Sequence, residues 1–434
     1  MAVPSPSTTP ARAPQPGVIA LLSRPVPRLL WTGQVTSVVG DRLYAVALIW
    51  LAVRLTGSPA AVAAVAVADS VPFLLASLVS GWLADRRDGL RLARGIDLAR
   101  AAAVIAVPAL VLTGGLSLPV LVGVAVLLSA LTAFFLPPVQ ASLPRLVEPG
   151  ALTPMVSLLD STDRLGRVLG PGLVGVLAFL PQIHLFTLDS ASFLVSAATL
   201  TAILKCHTGA TNPPSRLREP FTTAAVLAGW RATVSQPVLR DALLLRTACN
   251  LAWPAYTLAV PFLITRRYQQ SIGGYGLTLA AFGAGNLLGT LLAARVPHRW
   301  LSRTCCLAWA GAGLGFAALA AAPSYALFLA ASAAIGVCTP LANVTISAAI
   351  AATVPHELLA RTYTTQRLAV AAAGTAGLPA AAALISTHQA TTTLQIAAAL
   401  IVAAASIALI AALRRQGTGD LPPRADEEQP NRDH

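Results

Sequence analysis

Charged side chains are scarce in this sequence. Asp, Glu, Lys and Arg supply 11% of its 434 residues, while 56% are hydrophobic. Soluble domains carry roughly a quarter charged residues. A chain this long cannot stay in water without a polar surface, so the alternative solvent is lipid, where about 20 apolar residues in a helix span the hydrocarbon. Lysine is almost missing, with Lys205 the single one, and arginine carries the positive charge. Cysteine is also sparse. Cys206, Cys249, Cys305, Cys306 and Cys338 are odd in number and show no framework spacing. Most lie in apolar runs, where a free thiol behaves as a small hydrophobe. No metal-ligand spacing stands out among the six histidines, so no metal is expected. A phosphate-binding "GxxxxGK[ST]" is lacking, which disfavours ATP-driven work by this chain. No nucleophile–base arrangement at usable spacing occurs either, so an enzyme is not expected. The first residues lack the apolar stretch of a cleavable signal.

What the sequence does have is apolar runs of helical length. They cover about 30–52, 60–82, 92–113, 118–137, 154–179, 184–204, 239–264, 273–294, 304–322, 325–350, 361–385 and 391–413. The expected fold is an all-α membrane protein of twelve transmembrane helices. Residues 1–28 and 416–434 read as disordered cytoplasmic tails, 29–205 and 238–415 as two six-helix bundles, and 206–237 as a cytoplasmic linker. An even number of spans puts both termini on one side. Loops on that side hold Arg86, Arg87, Arg91, Arg94, Arg145, Lys205, Arg216, Arg218, Arg231, Arg240, Arg295, Arg299, Arg303, Arg361, Arg414 and Arg415. Opposite loops hold only Arg54, Arg266 and Arg267. Cytoplasmic loops are the arginine-rich ones, so both termini are expected in the cytoplasm of a cell-membrane protein. The net charge of +13 then marks topology, and no nucleic-acid partner is expected.

The two halves echo each other. "LADR" at 83–86 closes the second span and "LAAR" at 292–295 the eighth; "TDRL" at 162–165 lies in the fifth and "TQRL" at 365–368 in the eleventh. Each pair is six spans apart, as parallel repeats require. Together with the loop "GWLADRRDGLRL" from Gly81, this arrangement resembles the major facilitator superfamily over essentially the whole chain. "SVVGDRLYAVALIWL" at 37–51 and "FFLPPVQASLPRLVEP" at 134–149 are similar to the branch containing macrolide exporters and the enterobactin exporter. The resemblance implies two pseudo-symmetric six-helix bundles. It also implies a conformational latch built from Gly81, Asp85, Arg86, Arg91 and Arg145, with Asp85 facing Arg145 and the start of the eleventh span near Glu357 to Arg361. "GRVLGPGLVG", with Gly166, Gly170, Pro171 and Gly175, resembles a motif of antiporters in that superfamily, although Val174 replaces one glycine. The fourth span lacks the arginine of a further antiporter motif.

A charge at the bilayer centre costs about 2.5–3.5 kcal/mol even on lenient scales, so charges kept there are informative. Asp41 lies about eleven residues into its span, roughly 17 Å at 1.5 Å per residue. Asp69 precedes Gly81 by about three turns of helix. Asp163 and Arg164 sit similarly deep, and Arg367 is the repeat counterpart of Arg164. Arg246, Asn250 and Trp253 form a polar stripe at helical spacing on the seventh span. These residues define an expected proton and substrate cavity. The alternative reading makes them static ion pairs, Asp41 with Arg42 or Arg164 and Asp163 with Arg167, and makes the stripe ordinary packing. Asp97 and Arg100 read as a local ion pair near the cytoplasmic start of the third helix. Asp189 reads as exposed at the outer end of the sixth.

The expected function is secondary active export of an amphipathic small molecule (a drug, a macrolide-like natural product or a siderophore) by alternating access. Proton antiport supplies the energy, no cofactor is needed, and a monomer in the bilayer suffices. A nutrient importer of the same fold and a non-transporting membrane sensor or scaffold are the alternatives.

Overall fold

The computed structural model describes residues 17–86, 88–177, 180–206, 230–231, 233–353 and 356–417. Among them lie twelve helices of 21 residues or more and no strand. A five-residue turn of helix, Val18–Leu22, leads into α1 (Pro25–Thr56), α2 (Pro59–Arg86), α3 (Gly89–Leu112), α4 (Leu118–Leu146), α5 (Leu152–Val176) and α6 (Ile183–Cys206). Then follow α7 (Pro237–Arg266), α8 (Ile272–Ala293), α9 (Leu301–Ala321), α10 (Tyr325–Thr353), α11 (His356–Thr387) and α12 (Ala390–Gly417). Ten of the twelve are long and apolar enough to cross a membrane. The other two, α1 and α5, are the ones that carry Asp41 and Arg42, and Asp163, Arg164 and Arg167.

Helix ends follow local chemistry. Asp88 caps α3 by accepting from the Arg91 N–H at 3.2 Å, and Ser271 caps α8 by accepting from Gly273 N–H. Gly57 joins α1 to α2 at φ +60°, a conformation that glycine adopts without steric cost. The expected charged loop 81–95 is almost entirely helical, since α2 runs to Arg86 and α3 begins at Gly89. The fourth span is likewise longer than expected. Pro137 and Pro138 lie inside α4, which continues to Leu146, so Arg145 sits in its last turn rather than in a loop. Membrane helices accept internal prolines when neighbours satisfy the freed backbone groups. Pro72 in α2 shows how. Ser129 of α4 inserts its hydroxyl there, accepting from the Phe73 N–H and donating to the Asp69 carbonyl.

The chain divides into two compact units. The first takes the described residues among 1–48, 68–170 and 180–218, and the second those among 49–67, 171–179 and 219–434. In the first, Leu21, Leu90, Ile96, Phe135, Leu143, Met155, Leu159, Leu200 and Ile203 form one apolar cluster. In the second, α8 packs on α10 backbone to backbone. A Cβ on Gly285 would meet the Ala333 carbonyl, one on Gly289 the Val337 carbonyl, and one on Gly336 the Phe282 carbonyl. Small residues at such crossings replace the hydrophobic drive that lipid removes. Cys305 and Cys306 are buried free thiols in α9.

Candidate functional site

In the first unit α1, α3 and α6 converge because α1 has glycine where α6 comes closest. A Cβ on Gly33 would strike Thr199 and Ser196, and one on Gly40 would strike Ser192 and Asp189. Charges fill this tight junction. Arg100 of α3 donates from Nη2 to Asp41 Oδ1 at 2.7 Å and from Nη1 to Asp97 Oδ1 at 3.3 Å. Its guanidinium lies 3.9 Å from the Phe193 ring centroid and 5.4 Å from that of Phe135, a cation–π arrangement. Arg100 is 1% exposed, and Asp97 and Asp189 are each 0% exposed. Ser190 of α6 donates to the Ala101 carbonyl at 2.9 Å, fixing α6 on α3. Asp189 lies within electrostatic reach of Asp41 and Arg100. Three carboxylates therefore surround one guanidinium. Asp97 Oδ2, Asp189 Oδ2, Arg100 Nε and the Tyr44 hydroxyl are buried without hydrogen-bond partners.

The neighbouring residue on α1 looks the other way. Arg42 donates to Asp163 Oδ1 of α5 at 3.1 Å, and Trp31 Nε1 donates to Thr162 at 3.0 Å on the same helix. Helical geometry turns consecutive side chains about 100° apart, so Asp41 serves α3 while Arg42 serves α5. Asp69 on α2 keeps accessible surface and feels the charges of Asp41 and Arg42.

In the second unit, Arg246 of α7 donates to Gln366 Oε1 of α11 at 3.1 Å, and Asn250 turns back to the Arg246 carbonyl at 2.8 Å. Trp253 packs among Tyr256, Phe282 and Phe316, with ring centroids 5.5, 5.9 and 5.7 Å away. The Tyr256 hydroxyl pairs with Ser332 at 2.7 Å. Arg367 is exposed and stands apart from its neighbour Gln366, which is buried.

Several sequence expectations change. Asp189 is fully buried, not exposed at a helix end, because Gly40 brings α1 against it. Asp97 and Arg100 do pair with each other, and the pair extends to Asp41. The alternative reading pairs Asp41 with Arg42 or Arg164 and Asp163 with Arg167; among the described residues, Asp41 meets Arg100 and Asp163 meets Arg42. Arg91 pairs with the capping Asp88 at 3.4 Å, and Arg145 is exposed. Gly166 is buried against Val38. The side chains at Gly81, Asp85, Arg86, Arg164, Gly170, Pro171 and Gly175 lie outside the described residues, as do those of Arg167, Glu357 and Arg361. Sequence reasoning passed over Gln366 and Tyr44. Gln366 stood inside the quoted "TQRL" and Tyr44 one turn after Asp41, so position relative to a charged residue was the available signal.

Twelve long helices, most of them membrane-spanning in composition, with ion pairs buried among them, make a multi-pass membrane protein. The chain belongs to the transmembrane secretion effector family, which matches residues 17–433, and it is a secondary transporter of the major facilitator fold. It is 29% identical over 361 residues to the multidrug efflux pump Tap of Mycolicibacterium fortuitum, covering 81% of this chain and 87% of that protein. Among solved structures it is similar to a peptide transporter, POT, at a TM-score of 0.68 with 15% identity, covering 92% of this chain and 96% of the other. It is also similar to the nucleoside transporter NupG, at a TM-score of 0.68 with 13% identity over 88% and 99% of the two chains.

Proposed function

We propose that the protein exports amphipathic small molecules, such as drugs, macrolide-like natural products or siderophores, in exchange for entering protons. It works by alternating access as a monomer in the cell membrane, with both termini cytoplasmic. The proton gradient is its energy source, with no cofactor and no nucleic-acid partner. Likeness to an efflux pump over most of the chain supports the direction, and the arginine asymmetry of the loops supports the orientation.

One observation carries the coupling. Asp41 keeps 29% of its side-chain surface accessible while it holds Arg100, which keeps 1%. It therefore joins an accessible carboxylate to a buried charge cluster. Through its 2.7 Å ion pair with Arg100, a cationic substrate or a helix shift at Asp41 is felt by the cluster. The test is a proton-gradient assay in inverted vesicles across a panel of drugs, macrolides and siderophores. We expect at least one compound to dissipate the gradient only when this protein is present. If none does, proton antiport is wrong. Asp41→Asn should lower coupled efflux by about tenfold or more, a barrier change of about 1.4 kcal/mol, at normal membrane abundance. Unchanged drug resistance in that variant would support a non-transporting sensor instead.

A further inference from the structure

We infer that the coupling proton is stored inside the first unit, on Asp189 and Asp97 in the closed packet between α1, α3 and α6, and that Tyr44 relays it to Asp69. This rests on the proton-coupled reading above and names where that proton resides.

The packet has a ladder along α6. Asp189, Phe193 and Ser196 follow i, i+4 and i+7 and so share one helical face. Asp189 abuts Gly40, Arg100 lies over Phe193, and Asp97 lies beside Ser196. The rungs at Asp189 and Ser196 are about 10 Å apart along the axis, at 1.5 Å per residue. A buried carboxylate therefore stands on either side of one buried guanidinium. Successive spans alternate in direction, so α3 and α6 start on opposite sides of the membrane. Asp97 lies about 12 Å from the start of α3 and Asp189 about 9 Å from the start of α6, by the same rise. With cytoplasmic termini, Asp189 is the outer store and Asp97 the inner one.

Charge bookkeeping requires a proton here. With Asp41, Asp97 and Asp189 all ionised and Arg100 the cation among them, the packet would hold two excess negative charges. Uncompensated charge in an apolar interior is removed by protonation rather than tolerated. Asp97 is already bonded to Arg100, while among the described residues no ion pair with Asp189 is formed. Asp189 is thus the acid in this arrangement. Among the described residues, the other charges facing the packet do not cancel the excess: Arg42 on α1 is engaged with Asp163 of α5, and α2 brings Asp69.

The exit route follows from an orphan hydroxyl. Tyr44 is 4% exposed, packs edge-on against Phe186 with ring centroids 5.8 Å apart, and its hydroxyl has no partner. It lies within electrostatic reach of Asp69, Asp189 and Asp41. A phenol both donates and accepts. Its oxygen can take the proton from Asp189 while its O–H gives one to ionised Asp69. One proton moves inward, the phenol is regenerated, and no electron is transferred. When Asp41 leaves Arg100, the guanidinium turns to Asp189, and the stored proton passes through Tyr44 to Asp69.

The experiment uses the full chain in proteoliposomes, with ethidium as the transported probe. Two quantities are read: proton-driven accumulation, and ethidium counterflow without a proton gradient. For Asp189→Asn we expect counterflow within about twofold of wild type and accumulation reduced by about tenfold or more. Tyr44→Phe keeps the ring packing and should slow accumulation with counterflow intact, while Asp189→Glu should restore coupling. If Asp189→Asn does not fold, Asp97→Asn must show the same split. Full accumulation in Asp189→Asn, or in its Asp97→Asn substitute, overturns this inference and leaves proton coupling standing. Ethidium counterflow without proton-driven accumulation in the wild type overturns the coupled reading itself.

Discussion

Arg100 is the residue on which the first unit turns, because it neutralises Asp97 and Asp41 together while lying over Phe193. Removing one partner of a buried ion pair costs about 3–5 kcal/mol, since the other charge is left uncompensated. Arg100→Gln should therefore lower the melting temperature of the purified protein sharply. Asp97→Asn added to Arg100→Gln should recover part of that loss. If the double variant is as unstable as the sum of the singles, the two residues are not coupled. Arg100→Lys should also fail, because an ammonium cannot reach two carboxylates and stack on a ring at once. Asp41 was legible in the sequence as an intramembrane charge. Its partner was not, because distance from a helix end shows how deep a residue lies but not which helix covers it. Asp189 was misread for the same reason: it lies six residues into α6, yet Gly40 of α1 closes over it.

At the scale of elements, glycines set which helices touch and prolines set where they bend. A bulky side chain at a backbone-to-backbone crossing forces the helices apart, typically at about 1–3 kcal/mol or more. Gly285→Leu and Gly336→Leu should each reduce the yield of folded protein. Gly95→Ala and Gly123→Ala, where nothing lies within 4 Å of the added carbon, should not. Gel-filtration profiles in detergent read the difference, and equal profiles would refute the close α8–α10 crossing. Ser129→Ala leaves the Phe73 N–H and the Asp69 carbonyl without their partner, a loss of about 1–3 kcal/mol, and should disturb Asp69 without touching it. Helix number and approximate limits were readable from apolar runs alone. The length of α4 was not, because Pro137 and Pro138 act as stops in water but not among neighbouring membrane helices. The charge cluster at 81–95 looked like a loop for a related reason: its Gly and Asp residues are also what a helix start uses, as Asp88 does for α3.

For the whole molecule, fold and class were carried by composition, periodicity and the family-like loop, each of which is a property of the sequence. The coupling machinery was only partly visible, since it depends on three helices distant in sequence meeting at Gly40, Arg100 and Asp189. We propose that this membrane protein exchanges an amphipathic molecule for protons through that junction. The most direct test reconstitutes the full chain with a pH-sensitive dye trapped in the vesicles and imposes an ethidium gradient without any pH gradient. We expect protons to move opposite to ethidium, and to stop moving in Asp41→Asn while the protein remains folded. Ethidium movement without proton movement in the wild type would rule out exchange for protons.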